Sequence, residues 1–112
     1  MAITSRSKTT VVDLYAVEVG DLLEADPALE HGGELETSLM LHLAPERVRR
    51  DRISDFAPEP HEARKYIRQR MPTAPPGSEG VLGRPTLATA EKGRAVFERW
   101  VDALRGVLER GA

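Results

Sequence analysis

Cysteine is absent from the 112 residues. Its absence excludes disulfides and thiolate metal sites, and it suits the cytoplasmic location that we expect. The chain also has little net charge, formally −2, so we expect neither nucleic acid nor an anionic membrane as a partner. No apolar run approaches the roughly 20 residues of a membrane span, and the polar N-terminus lacks the apolar region of a secretory signal.

The composition that is present, 40% hydrophobic and 30% charged, is that of a soluble protein with one domain and a small core. Residues 1–9 are small and polar, which predicts a disordered N-terminus before a domain over residues 10–112. Residues 10–17 are rich in β-branched side chains and almost continuously apolar. They predict a strand covered on both faces, as in a parallel sheet.

Helical periodicity predicts two helices, over residues 33–43 and 89–110. On the first, the apolar face comprises Leu35, Leu39, His42 and Leu43. On the second, the apolar stripe comprises Ala90, Gly93, Phe97, Val101, Leu104 and Leu108. Gly93 lies on that stripe, where a missing side chain permits close approach of another element. A shorter helix over residues 61–70 is predicted inside the proline-rich connection.

Residues 30–38 concentrate the candidate chemistry. Gly32 and Gly33 allow a sharp turn and leave room for a ligand, and a helix starting after them directs its free N–H groups toward the loop. A buried His31 there could be held neutral and act as a base. A capped helix with a solvent-facing histidine is the plainer interpretation of the same pattern.

A basic cluster follows the first helix. Its members are Arg47, Arg49, Arg50 and Arg52. The plain interpretation is a solvated surface, and the functional one is a contact with an anionic substrate or with another subunit.

Two motifs together resemble the C-terminal portion of the creatininase (creatinine amidohydrolase) family. The first is Glu-His-Gly-Gly-x-x-Glu-Thr-Ser-Leu-Met-Leu at residues 30–41, and the second is Gly-Val-Leu-Gly-Arg-Pro-Thr at 80–86, followed by Glu-Lys-Gly at 91–93. The resemblance covers roughly residues 10–110. It implies an α/β fold, here a partial layered parallel-sheet fold that is helix-rich in this fragment. It also implies metal-dependent hydrolysis of cyclic or linear amides, of the type that converts creatinine to creatine.

The resemblance also implies roles for five residues. His31 matches the family histidine that passes a proton to the leaving nitrogen, and Glu30 precedes and orients it. Gly32 and Gly33 match the turn that brings backbone against the substrate. Glu36 matches a family acid that we interpret as structural. The catalytic candidates are therefore His31, Glu30 and Glu36, and the substrate-binding candidates are Gly32 and Gly33.

The family's two divalent cations, zinc or manganese, hold and activate the attacking water. Their ligands lie in Glu-x-His and Gly-His contexts that this sequence lacks, and a His31–Glu34 pair does not replace them. We therefore expect no metal site and no cofactor in this chain alone, and we predict that the isolated chain is inactive.

Three hypotheses about function remain open at this stage. The chain could be a fragment or subunit of an amidohydrolase that acts on a small-molecule amide. It could be a non-catalytic oligomerisation or interaction domain derived from that family, or a small α/β binding protein with an unrelated activity. The first two predict self-association, or a partner chain that carries the N-terminal, metal-binding part.

Overall fold

The computed structural model describes residues 7–67 and 74–111. Within these ranges the chain forms three α-helices, α1 (Glu34–Leu43), α2 (Pro60–Ile67) and α3 (Ala90–Glu109). Short 3-10 turns occupy Leu14–Ala16, Gly20–Leu22, Pro27–Leu29, Pro45–Arg47, Arg50–Arg52 and Pro85–Leu87. The helices predicted over 33–43 and 89–110 are confirmed. The end of the helix predicted over 61–70, and residues 1–6 of the predicted disordered N-terminus, lie outside the described residues.

Both long helices begin and end where their sequences favour it. Glu34 and Glu36 lie in the first turn of α1, where the helix dipole stabilises negative charge. At the start of α3 the Thr89 hydroxyl accepts the Lys92 N–H at 3.1 Å and so caps the helix. Gly111 follows α3 with φ of 71°, the left-handed conformation that commonly ends a helix.

The core lies where α1 packs against α3. Its buried residues are Val19, Leu35, Leu39 and Val96. Gly93 is at the crossing, and a Cβ added there would lie 1.9 Å from the backbone oxygen of Ser38. The predicted close approach at Gly93 is therefore confirmed, because nothing larger than hydrogen fits between the two backbones.

The faces that the helices bury differ in part from those predicted. Val96 is completely buried on α3 although it was not placed on the apolar stripe. Three members of that stripe are substantially exposed, namely Phe97 (37%), Leu104 (37%) and Leu108 (75%). On α1, Leu41 is buried while Leu43 is exposed. Helical periodicity locates an apolar stripe, but it does not say which of its members the neighbouring helix covers.

The strand predicted over residues 10–17 is wrong. The Asp13 carboxylate accepts the Tyr15 N–H at 3.0 Å and diverts the backbone into the turn Leu14–Ala16. Val11 is 88% exposed, so the segment is not covered on both faces.

The predicted parallel sheet is likewise not seen in the part of the chain that the structure describes, although the helix-rich character is confirmed. The strand-like pairings described there are two isolated antiparallel bridges, His31–Leu82 and Phe56–Gly83. None of the helices in the described ranges has the length and apolarity needed to cross a bilayer.

Candidate functional site

The loop that carries His31 connects the turn Pro27–Leu29 to α1. The His31 N–H donates to the Leu82 carbonyl at 2.8 Å, and the Leu82 N–H donates back at 2.9 Å. Gly32 has φ of 63°, a conformation that side chains disfavour. The two sequence motifs therefore meet here, since one contributes His31 and the other contributes Leu82.

The Glu30 side chain ties this loop to both of its neighbours. Its carboxylate accepts the Glu34 N–H at 2.7 Å and the Arg84 N–H at 3.0 Å. A Cβ on Gly33 would lie 2.3 Å from that carboxylate, and one on Gly83 would lie 2.6 Å from it. The space that Gly33 leaves open is thus filled by Glu30. Burial raises the pKa of Glu30 above its ordinary value, although the two N–H donors oppose this.

Glu36 braces the glycine turn from the helix side. Its carboxylate accepts the Gly32 N–H in a short hydrogen bond and the Tyr15 hydroxyl at 3.1 Å. The Thr37 hydroxyl donates to the Gly32 carbonyl at 3.3 Å. Burial, together with the neighbouring Glu36 carboxylate, raises the pKa of the Tyr15 hydroxyl. This is the geometry of an acid that holds a loop in shape.

His31 itself is exposed. The plainer interpretation, a solvent-facing histidine before a helix, is therefore the one that the structure has, and the imidazole is not buried. Among the described residues none forms a hydrogen bond with the ring, and the Glu30 carboxylate that was expected to orient it binds backbone N–H groups instead. The structure gathers the five predicted residues in one braced turn and leaves the His31 side chain free to meet a ligand.

Glu34, which the sequence suggested only as an insufficient metal ligand, has a structural role that sequence reasoning missed. It is completely buried, and its carboxylate accepts the N–H groups of Glu24 (2.9 Å) and Ala25 (2.8 Å). The Lys92 ammonium donates to it at 2.7 Å and also to the Leu87 carbonyl at 2.6 Å. One ion pair therefore joins the first turn of α1, the first turn of α3 and the segment before the His31 loop.

The electrostatics agree with a charged pair. Burial raises the pKa of Glu34, whereas Lys92 and the two N–H donors lower it. Their combined effect is larger than that of burial, so the pKa of Glu34 lies below its ordinary value. Burial lowers the pKa of Lys92, and the carboxylates of Glu24 and Glu34 more than offset this and raise it. The sequence offered only a weak signal, because Glu34 and Lys92 are charges of opposite sign in the two motifs, and Arg84 and Glu91 in the second motif are charged as well.

The side chains present do not fit a dinuclear metal centre. In the ranges 7–67 and 74–111, no three histidine, aspartate or glutamate side chains lie close enough together to share an ion. Glu34 is buried against Lys92, while His31 is exposed, so these two do not form a ligand pair.

In comparisons with known proteins, the match to one family model includes both sequence motifs. The family model for creatininase, described as creatinine amidohydrolase, matches residues 4–108. A mycofactocin precursor peptide peptidase of Mycobacterium ulcerans is 42% identical over 72 residues, which are 64% of this chain and 29% of that protein. A creatinine amidohydrolase of Pseudomonas putida is 38% identical over 83 residues, 71% of this chain and 30% of that protein.

A mycofactocin precursor peptide peptidase of Mycolicibacterium smegmatis is 35% identical over 83 residues, which cover 71% of this chain and 32% of that protein. The chain therefore spans only 29% to 32% of the length of these three relatives. No solved structure matches it significantly.

Proposed function

Because the chain belongs to the creatininase family, we propose that it supplies the histidine loop of an amide hydrolase. The family match confirms the resemblance drawn from the two motifs. The observation that carries the proposal is the exposed His31 imidazole on a loop braced by Glu30 and Glu36. Such a loop can present a proton donor to a substrate without rearranging.

In this proposal His31 passes a proton from its ring to the leaving nitrogen of a small-molecule amide. Histidine is the side chain most often used for such proton transfer, and a positioned general acid contributes about 10²–10⁴-fold to a rate. Gly32 brings backbone to the substrate and Gly33 leaves room for the Glu30 carboxylate, while Glu30 and Glu36 act as positioning residues. The two divalent cations that the family implies, zinc or manganese, would be held by residues of a partner chain or of another part of a longer protein. The proposed location is cytoplasmic.

The relatives point to two substrate classes. One is a cyclic amide, after the relative named creatinine amidohydrolase, and the other is a peptide, after those named mycofactocin precursor peptide peptidase. Both contain an amide whose nitrogen must be protonated as it leaves, which is the step assigned to His31.

A chimera tests the proposal. This chain replaces the matching segment of the Pseudomonas putida relative, and creatinine hydrolysis is measured with zinc or manganese present. We expect activity that His31→Ala lowers by about 10²-fold or more. The control, His61→Ala, changes an exposed histidine of α2 and should leave the rate unchanged. Equal rates for the His31→Ala and unsubstituted chimeras would refute the assignment of His31.

The isolated chain should bind no stoichiometric metal and should hydrolyse no amide substrate.

A second candidate function is a non-catalytic oligomerisation or interaction domain derived from the same family. It is favoured by the apolar side chains of Phe97, Leu104 and Leu108, which α3 leaves exposed. A folded chimera that associates but has no His31-dependent activity would support this alternative.

A further inference from the structure

A cleft of about 330 Å³ opens beside the His31 loop. Its lining includes Gly32, Glu36 and Thr37 from the loop and the start of α1, together with Arg47, Arg49 and Arg52. Two short turns, Pro45–Arg47 and Arg50–Arg52, bring these arginines to one cleft although they are spread over six residues.

The three arginines have no partner in the described part of the chain. Arginines elsewhere in it, such as Arg94 and Arg99, form ion pairs with Glu91 and Asp21. No described side chain forms an ion pair with the cleft arginines. Three unpaired guanidinium groups around one cleft create a local positive field, in a protein whose formal net charge is −2.

The cleft also contains one carboxylate, that of Glu36. It already accepts the Gly32 N–H and the Tyr15 hydroxyl, so it is held against the loop rather than available to the arginines. The excess of donors over acceptors therefore remains on the arginine side. Guanidinium groups bind carboxylates in a planar two-point arrangement that lysine does not reproduce.

We propose that this cleft binds a free carboxylate on the amide substrate, through Arg47, Arg49 and Arg52. The inference rests on the proposed amide-hydrolase function, because it places the carboxylate next to the loop that presents His31. It gives substrates with an anionic end, such as a peptide close to its C-terminus, a higher affinity than neutral cyclic amides, which the same loop still accepts. The basic cluster then has a function beyond that of a solvated surface.

Binding to the 112-residue chain tests this without any need for turnover. The probes are N-acetylglycine, its uncharged methylamide and inorganic phosphate. Their binding is measured through the shifts of the backbone amide NMR signals of Gly32 and Thr37. We expect saturable shifts with N-acetylglycine, with a dissociation constant on the order of millimolar, and none with the methylamide. The combined substitution Arg47→Gln, Arg49→Gln and Arg52→Gln should weaken binding by about tenfold or more.

Two further variants serve as controls. Arg64→Gln removes an exposed arginine of α2 that does not line the cleft, and it should leave binding unchanged. Replacement of the three arginines by lysine keeps the charge but loses the two-point geometry, and should give an intermediate affinity. Far-UV circular dichroism checks that each variant retains its helices.

Several outcomes would overturn the proposal. These are equal shifts with the methylamide, binding of phosphate without binding of N-acetylglycine, and unchanged binding in the triple glutamine variant. A triple variant that changes only the association state would assign the arginines to a subunit contact instead. Arginine-dependent binding in a chain whose chimera shows no His31-dependent hydrolysis would refute the proposed function and keep the carboxylate site. His31-dependent hydrolysis by the chimera without arginine-dependent binding to the chain would refute the carboxylate site alone.

Discussion

The cost of burying Glu34 is offset because its partners are in place. A carboxylate removed from water needs a charge and hydrogen-bond donors to replace its hydration. Lys92 supplies the charge at 2.7 Å, and the N–H groups of Glu24 and Ala25 supply the donors. The Glu34 carboxylate therefore holds the segment before the His31 loop in place and does not act as a metal ligand.

Replacing Glu34 by Gln should destabilise the protein markedly. The substitution keeps the size of the side chain but leaves the Lys92 ammonium with one carboxylate fewer, and such charge-assisted hydrogen bonds contribute about 1.5–3 kcal/mol each. We expect the free energy of unfolding to fall by about 2–3 kcal/mol in urea denaturation.

The matched control is Glu91→Gln, which removes a carboxylate that is 83% exposed and paired with Arg94. Its effect should stay within about 0.5 kcal/mol. Equal effects of the two substitutions would show that the buried pair contributes no more than a surface pair.

The same residue gives a pH dependence. The pKa of Glu34 is lower in the folded state than in the unfolded chain, so its stabilisation is complete above the unfolded pKa and is lost as pH falls through the folded value. The free energy of unfolding should decline on acidification below about pH 5, and more shallowly in Glu34→Gln than in Glu91→Gln.

Glu30 acts with the opposite sign. Its pKa is raised by burial, so the free energy of unfolding falls as pH rises from the ordinary pKa to the raised one.

Parallel acid profiles for the wild type and Glu34→Gln would contradict the assignment of the acid-side loss of stability to Glu34.

At the scale of elements, the contact between α1 and α3 depends on a single missing side chain. Gly93 lies against the Ser38 carbonyl, and the neighbouring Ser38 hydroxyl accepts the Thr89 N–H at 3.2 Å. The distance between the two helices therefore also sets the position of the Glu34–Lys92 pair and of the loop before it.

Gly93→Ala should destabilise the chain although alanine is the better helix former. The added Cβ would lie 1.9 Å from a backbone oxygen, which cannot move without separating the helices. We expect a loss of about 1–3 kcal/mol, as for other overpacked cores, measured as a fall in the urea midpoint.

Gly106→Ala, in the same helix, is the internal control. The nearest atom to its added Cβ is the mobile Arg110 guanidinium at 3.1 Å. Here the helix propensity of alanine should prevail, with a gain of about 0.5–1 kcal/mol. Stabilisation by both substitutions would mean that the helices do not touch at Gly93.

At the scale of the whole molecule, α3 leaves apolar side chains partly or largely exposed. Phe97, Leu104 and Leu108 are 37% to 75% exposed. Burying a leucine or phenylalanine side chain fully is worth roughly 1.5–3 kcal/mol, so association that covers this surface is favourable. Residues 10–17 form no strand that would need a partner, so the prediction of association depends on α3 alone.

We expect the chain to self-associate in the micromolar range, as measured by sedimentation velocity and light scattering. Replacing Leu104 and Leu108 together by Gln should weaken association about tenfold or more, since each substitution removes apolar area from the contact. Leu43→Gln, at an exposed leucine of α1, should have no such effect. A monodisperse monomer over this concentration range would contradict self-association and leave a partner chain as the remaining prediction.

The sequence by itself determined the positions of α1 and α3, the glycine turn before α1, the close approach at Gly93 and membership of the family. Each of these depends on local information, namely helical period, capping side chains and short motifs. Gly93 was recognisable because a glycine on an apolar helix stripe has few other uses.

The tertiary structure alone decided the rest. The partner of Glu34 lies 58 residues away in the sequence, and no local pattern specifies such a pairing. Burial of Val96 depends on how α1 and α3 pack against each other. The segment at residues 10–17 has the composition of a strand, but a strand also needs neighbours that accept and donate its backbone hydrogen bonds. In the described residues it has none, and the Asp13 carboxylate folds it into a turn.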